Sequence, residues 1–359
     1  MSGQYYYDVY LVLVTFLTIF AVSQYNFNIL SNINRTIVSK RLFALAITVV
    51  LVLIIGFRPL HIAFIDMLNY NAVYNHLFGA DFEFSFDVDN LLFDNWFAYM
   101  ASAGVPIQFF FLICAFVYFG SIYVASAKLF PRDTLLALVV YLAAFSTFSY
   151  GTNGIKAGMA AALFLVALAY SDKKLLSALI ALITLGIHHS MLLVIVAYFI
   201  VLLIRNPKWY FVLWCIAFVF AALHITYFQF LFAGFTDEHG AEYLLSNENS
   251  GFRIDFIIYS AVPVILGYVL LYKYRIKSNT YNLLLSVYML SNSVWMLCMY
   301  SNFTNRISYL SWFMYPFVLL YPFVNILWSR YQLRYLNYVV YGHIGFTIFM
   351  QVIYYKFLH

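Results

Sequence analysis

Four basic residues stand where an oily chain is least able to carry them. Arg58, Lys156, Arg253 and Arg306 each lie at or just inside the end of a long apolar run. A cation at such a place is costly unless it is paired or reaches water. One alone would read as a side chain snorkelling to the headgroups. Four on the side of the chain that otherwise lacks positive charge point to a cationic pocket that clamps an anionic lipid headgroup. Arginine suits a diphosphate there, because its planar fork donates in two directions. The segment 56–78, GFRPLHIAFIDMLNYNAVYNHLF, adds Asp66, Tyr70 and Tyr74, spaced four apart and therefore on one face of a helix. Apart from that spacing it reads as an interfacial helix with an aromatic belt. Lys156 sits among Gly151, Gly154 and Gly158. Close helix packing explains the glycines but not the lysine. His188 and His189, in GIHHSMLL (186–193), end a short apolar run at the depth expected for Lys156 and Arg306.

The elements that must position these residues follow from composition. The chain is 65% hydrophobic and 9% charged, against about 25% charged in a soluble protein. Apolar runs fall at 7–28, 41–57, 105–128, 134–150, 154–170, 175–188, 190–204, 209–233, 253–272, 280–300, 307–328 and 336–356. They predict an all-α polytopic integral membrane protein, a single membrane-embedded domain over 1–359, with about twelve transmembrane helices. The pair 175–188 and 190–204 reads as a bent span or a re-entrant hairpin. The amphipathic stretch 88–103 is expected to lie on the membrane or dip into it.

Positive charges orient the chain. Arg35, Lys40 and Arg41, then Lys128 and Arg132, Lys173 and Lys174, Arg205 and Lys208, Lys273, Arg275 and Lys277, and Arg330 and Arg334 fall in every second connection. The positive-inside rule makes those short turns cytoplasmic. Both termini and the two longer connections, 58–104 and 234–252, then face outward. Arg58, Lys156, Arg253, Arg306 and Lys356 break the rule, and only Asp133 and Asp172 among the acids fall inside. No cytoplasmic turn is large enough to hold a nucleotide, there is no Gly-rich phosphate loop, and nothing suggests a nucleic-acid partner. Cys114, Cys215 and Cys298 lie in apolar runs and read as core. Asp87-Val88-Asp89 is a literal D-x-D, but in an acid-rich loop it reads as solvated surface. No metal site and no cofactor is expected, and a divalent cation is left open.

At these segments the sequence resembles the EpsG-like, Wzy-type bacterial polysaccharide polymerases, which make O-antigen, capsule or exopolysaccharide. Residues 56–78 are similar to the family's G-x-R…D…Y…Y…F signature, with Ile65-Asp66-Met67 where Gly-x-Asp-Tyr is usual. TNGIKAGMAAALFLVALAY resembles its R-Q-x-[LIM]-A…ALF segment, with Lys156 in place of arginine. GIHHSMLL resembles an H-x-S-A-L segment, through His188 or His189 and Ser190. NRISYLSWFMYPFVLL resembles a late R-x-x-x-Y-F…P segment, through Arg306, Tyr309 and Pro316.

The resemblance implies a glycosyltransferase of the outer leaflet of the bacterial inner membrane. It would move a growing glycan from undecaprenyl diphosphate onto a lipid-linked repeat unit. Polyprenyl diphosphate leaves, so no ATP or sugar nucleotide is needed. Its partners would be the lipid-linked oligosaccharide, membrane lipids, a chain-length regulator and a flippase. Arg306, Arg58, Lys156 and Arg253 are expected to bind the diphosphate. Asp66, His188 or His189 would take the acceptor proton, the choice being open. Tyr70, Tyr74 and Tyr309 are expected to contact substrate. Asp81, Glu83, Asp87, Asp89, Asp94, Asp237, Glu238, Glu242 and Glu248 would bind sugar hydroxyls, with Trp96 and Tyr99 stacking on sugar rings. The rival classes are a ligase-like transferase that differs only in its acceptor, a lipid-linked oligosaccharide flippase, and a structural membrane component. No internal repeat supports the flippase.

Overall fold

A computed structural model of the chain describes residues 3–30, 35–234, 238–245 and 251–358. These are helical, with no strand among the described residues. The chain divides into two compact units, one of Met1–His188 with Arg330–His359 and one of His189–Ser329.

The first unit begins with α1 (Tyr6–Leu30) and α2 (Arg35–Gly56), then the shorter α3 (Ile65–Leu77) and α4 (Leu91–Ser102). The long α5 (Ile107–Leu129) follows, then α6 (Thr134–Leu142), α7 (Thr147–Thr152), α8 (Ile155–Ala169) and α9 (Lys174–Ile187). Helix α8 is the core of this unit, packed against α5 and α9 and buried at most of its positions. Its 15 residues rise only about 22 Å, short of a hydrocarbon core about 30 Å thick. Small residues let its neighbours come close: a Cβ on Gly158 would collide with the Tyr150 carbonyl oxygen of α7.

Ion pairs gather three basic turns at one end of the unit. Lys40 meets Asp133 at 2.9 Å, and Lys128 meets Asp172 at 3.0 Å. The only two acids assigned to the basic side thus both pair with lysines of other basic turns. Arg58 and the start of α8 lie at the opposite ends of the same helices.

The second unit holds α10 (Met191–Leu203), α11 (Pro207–Ala222), α12 (Tyr227–Ala233), α13 (Glu238–Leu245), α14 (Ile254–Tyr268), α15 (Asn279–Leu297), α16 (Thr304–Trp312) and α17 (Tyr315–Asn325). Helix α15 is its axis, packed by α10, α11, α14, α16 and α17. The chain then returns to the first unit with α18 (Gln332–Ile348), which packs on α1 and α6. There the buried His343 Nε2 lies 3.1 Å from the Val140 carbonyl.

Among the described residues, six helices are long and apolar enough to cross a membrane, or seven if α11 and α12, bent by 117°, form one span. The reading of about twelve spans is not matched by helix length. The run 134–150 breaks between α6 and α7. The runs 154–170, 175–188 and 190–204 become helices of 15, 14 and 13 residues. Helix α15 is long, but Ser286, Ser291, Asn292 and Ser293 on it are buried polar residues. An apolar run fixes where a helix starts to be favourable; its length is set by where neighbours let it stop.

Candidate functional site

In the first unit, Arg58 leaves α2 after Gly56 and turns inward. It is 2% exposed. Its Nη1 donates to the Ile55 carbonyl at 2.6 Å and its Nη2 to the Thr152 carbonyl at 2.5 Å. Ile55 is in the last turn of α2 and Thr152 closes α7, so one cation serves the carbonyl-rich ends of two helices. The guanidinium lies 5.6 Å from the centre of the Phe64 ring and 5.3 Å from that of Phe111. Burial pulls its pKa down to about 10, so it remains charged at neutral pH. Its Nε has no hydrogen-bond partner among the described residues.

Lys156 stands in the first turn of α8, where the helix dipole disfavours a cation. Asp94 offsets that, its Oδ1 lying 3.6 Å from the ammonium, with both side chains partly exposed. The other oxygen of Asp94 accepts the backbone N–H of Asn90 at 2.9 Å and so fastens the start of α4. The ammonium also sits 5.5 Å from the centre of the Phe93 ring. On α3, Tyr70 packs against Phe93 and Phe97 at 6.0 and 5.8 Å. The structure therefore brings Tyr70, Phe93, Asp94 and Lys156 together. Asp66 stands one turn before Tyr70, half-buried, with no hydrogen bond or ion pair among the described residues. Tyr74 is 1% exposed and donates to the Val105 carbonyl at 2.7 Å; it packs rather than faces a ligand. His188 is half-buried just past α9, a helix that packs against both α4 and α8. Gly186 allows that approach, since a Cβ there would meet Leu92.

The loop before α4 carries Asp81, Glu83, Asp87 and Asp89, all exposed. Asn95 holds it by accepting the Ser85 N–H and donating to the Ser85 carbonyl, both at 2.8 Å. Trp96 packs against Phe110 at 4.5 Å, whereas Tyr99 is exposed beside Phe82. Asp237, Glu238, Glu248 and Lys356, and Arg35 on the basic side, have side chains outside the described residues.

In the second unit, Arg253 precedes α14 and is gripped by Asp255 through both carboxylate oxygens, at 3.0 and 2.6 Å. Its guanidinium lies 3.7 Å from the centre of the Phe256 ring. Arg306 is exposed on the first turns of α16, 5.1 Å from the centre of the Phe303 ring. Phe303 turns the chain into α16 with φ 49°, a left-handed conformation that a bulky residue adopts only when its surroundings hold it. The Asn302 side chain accepts the Phe303 N–H at 2.8 Å and the Phe303 carbonyl accepts the Arg306 N–H at 2.8 Å. Tyr309 is 2% exposed and packs near Phe313, so Arg306 faces outward and Tyr309 inward. His189 is half-buried ahead of α10.

A buried polar cluster fixes α16. The Asn292 amide donates to Ser260 Oγ at 3.1 Å and to Ser311 Oγ at 2.9 Å, while its oxygen accepts Trp214 Nε1 at 2.8 Å. Trp312 Nε1 donates to Ser260 Oγ at 2.8 Å, and Trp295 Nε1 to Thr304 Oγ1 at 2.9 Å. Through Ser311, Trp312 and Thr304 the helix that carries Arg306 is tied to α14 and α15.

Sequence reasoning missed the partners. Asp94 was one acid among many in the outward connection, and nothing local pairs it with Lys156. Asp255 was detectable, two residues after Arg253. The role of Asn292 had no sequence signal beyond being a polar residue in an apolar run. Among the described residues no three His, Cys, Asp or Glu side chains come together to hold a metal.

The sequence profile of the EpsG family matches residues 41–358, and the chain belongs to that family. This makes it a membrane protein of the polysaccharide-polymerase type. No match is found among curated proteins or among solved structures.

Proposed function

We propose that this EpsG family member is a glycosyltransferase that polymerises polysaccharide from polyprenyl-diphosphate-linked repeat units at the outer leaflet of the bacterial inner membrane. The observation that carries the reading is Arg306, an exposed guanidinium on the N-terminal turn of a helix locked in place by buried hydrogen bonds. A helix N-terminus and an arginine fork together favour a phosphate oxygen. In the proposed step the bond between the donor's anomeric carbon and the diphosphate oxygen breaks. The hydroxyl oxygen of the acceptor repeat unit forms the new glycosidic bond, and its proton passes to a protein base. Charge gathering on the departing diphosphate is held by Arg306; Arg253 in the same unit and Lys156 in the first unit are each a further candidate phosphate ligand. Their carboxylate partners, Asp94 and Asp255, keep each cation in place until a phosphate competes for it. Arg58 belongs to this reading as a positioning residue, joining α2 to α7 next to α8. Asp66 is favoured as the base because it is accessible and uncommitted; His188 and His189 are the other choices. Tyr70, beside the Lys156 cluster, is the tyrosine best placed to meet substrate.

The test is purified protein in liposomes with lipid-linked repeat units, with and without a chelator, read as a gel ladder. A ladder that survives chelation supports the proposal. Glycan joined only to a different lipid acceptor makes the protein a ligase, and movement of the lipid-linked unit across the bilayer without a new bond makes it a flippase.

A further inference from the structure

Helices α11 and α14 both pack on α15. Phe211 of α11 touches Tyr268 at the end of α14 and Tyr272 just beyond it, with ring centres 5.4 and 5.8 Å apart. Between them runs a groove of about 880 Å³, in the upper part of the roughly 300–1,000 Å³ range of ligand clefts. Val212, Ile216, Val219, Val264 and Ile265 form its walls. Trp214 also lines it, and its indole N–H donates to the Asn292 side-chain oxygen at 2.8 Å. One charged residue lines it, Lys208, at the same end as Tyr272. Lys208 is exposed and in no ion pair among the described residues.

We infer that this groove binds one anionic phospholipid, with an acyl chain along α11 and the headgroup phosphate on Lys208. Two observations select that occupant. First, the groove runs from Lys208 to Phe220, about 18 Å of helix, against roughly 15 Å for half a hydrocarbon core. It is one leaflet deep, which fits an acyl chain and which a long isoprenoid carrier would overrun. Second, its sole lining charge is a cation at the mouth, beside turns that also carry Arg205 and Lys273. A basic residue at a membrane surface attracts anionic lipid, and tyrosines at that level suit the headgroup boundary. The site is independent of the polymerase reading: it uses none of the residues placed in the transfer step.

The chain itself supplies a reporter. Cys215 is exposed in the groove wall, while Cys114 and Cys298 are buried. The full-length protein, purified in detergent, is exposed to phosphatidylglycerol or phosphatidylcholine of identical acyl chains and examined by native mass spectrometry. One retained phosphatidylglycerol is expected, favoured about fivefold over phosphatidylcholine. Lys208→Gln should erase the preference and Lys208→Arg should keep it. Ile216→Trp should lower the binding of both lipids. In unmutated protein, maleimide labelling of Cys215 should slow more in phosphatidylglycerol than in phosphatidylcholine at the same lipid concentration. Equal retention of the two lipids, a preference that survives Lys208→Gln, or displacement of the phospholipid by an isoprenoid phosphate would each overturn the assignment.

Discussion

Arg58 in the first unit and Arg306 in the second are the same residue type at the ends of comparable apolar runs. Arg58 is 2% exposed and gives both terminal nitrogens to helix carbonyls. Arg306 is exposed at the start of a helix whose own polar groups are satisfied by others. The difference lies in what surrounds each one. Near Arg58, two helix C-termini supply oxygens that need donors, and a cation is the cheapest way to serve both. Near Arg306, Asn292, Trp295 and Ser260 hold the helix through buried hydrogen bonds, and the arginine side chain stays exposed at the surface.

The widest separation between the two should come from Arg306→Ala. It is expected to lower polymerisation at least about a hundredfold while thermal unfolding in detergent shifts by no more than about 0.5 kcal/mol. Single lipid-linked units should accumulate. Arg306→Lys should recover part of the activity if charge matters more than the fork. Arg58→Ala should do the reverse, costing about 1–3 kcal/mol for the Thr152 carbonyl left without its donor. Folded yield and activity should then fall together. A stable but inactive Arg58→Ala protein would break the comparison and return Arg58 to the diphosphate.

Lys156 lies between these extremes, and a double-mutant cycle with Asp94 locates it. Because both side chains are partly exposed, a coupling of at most about 1 kcal/mol in stability is expected. In activity, Lys156→Ala should cost much more than Asp94→Asn. The smallest effect belongs to the basic end. Hydrogen bonding to Lys128 holds the Asp172 carboxyl below its usual pKa. Its folded-state pKa is the lower one, so its contribution is full above the ordinary value near 3.9 and is lost as pH falls through the lowered value. Removing it with Asp172→Asn should barely change unfolding at pH 7 and should flatten the acid limb of the stability curve.

Much of this was legible in the sequence and some was not, for definable reasons. The apolar runs located the helices because bilayer-length hydrophobicity is a local property. Their count of about twelve spans is not matched by helix length, since the runs at α8, α9 and α10 give helices of 15, 14 and 13 residues. The sided arrangement of charge foresaw that Asp133 and Asp172 would share a face with lysines, which Lys40 and Lys128 bear out within the first unit. Burial was not legible: Arg58, Tyr74 and Tyr309 read as ligands for substrate, and all three are nearly sealed. Whether a side chain at a helix end points in or out depends on neighbours distant in sequence, such as Thr152 for Arg58 and Val105 for Tyr74. The pairing of Asp94 with Lys156 is of the same kind.

The cluster around Asn292 has a consequence for how the second unit responds to acidity. It joins Asn292, Ser260, Ser311, Trp214 and Trp312 inside a unit otherwise walled by apolar side chains. None of these groups gains or loses a proton at physiological pH. A ladder of carboxylates or histidines could have anchored the same helices, but its strength would have changed with every proton gained or lost. Anchoring by neutral amide, indole and hydroxyl groups keeps the geometry of α16 the same across the physiological pH range.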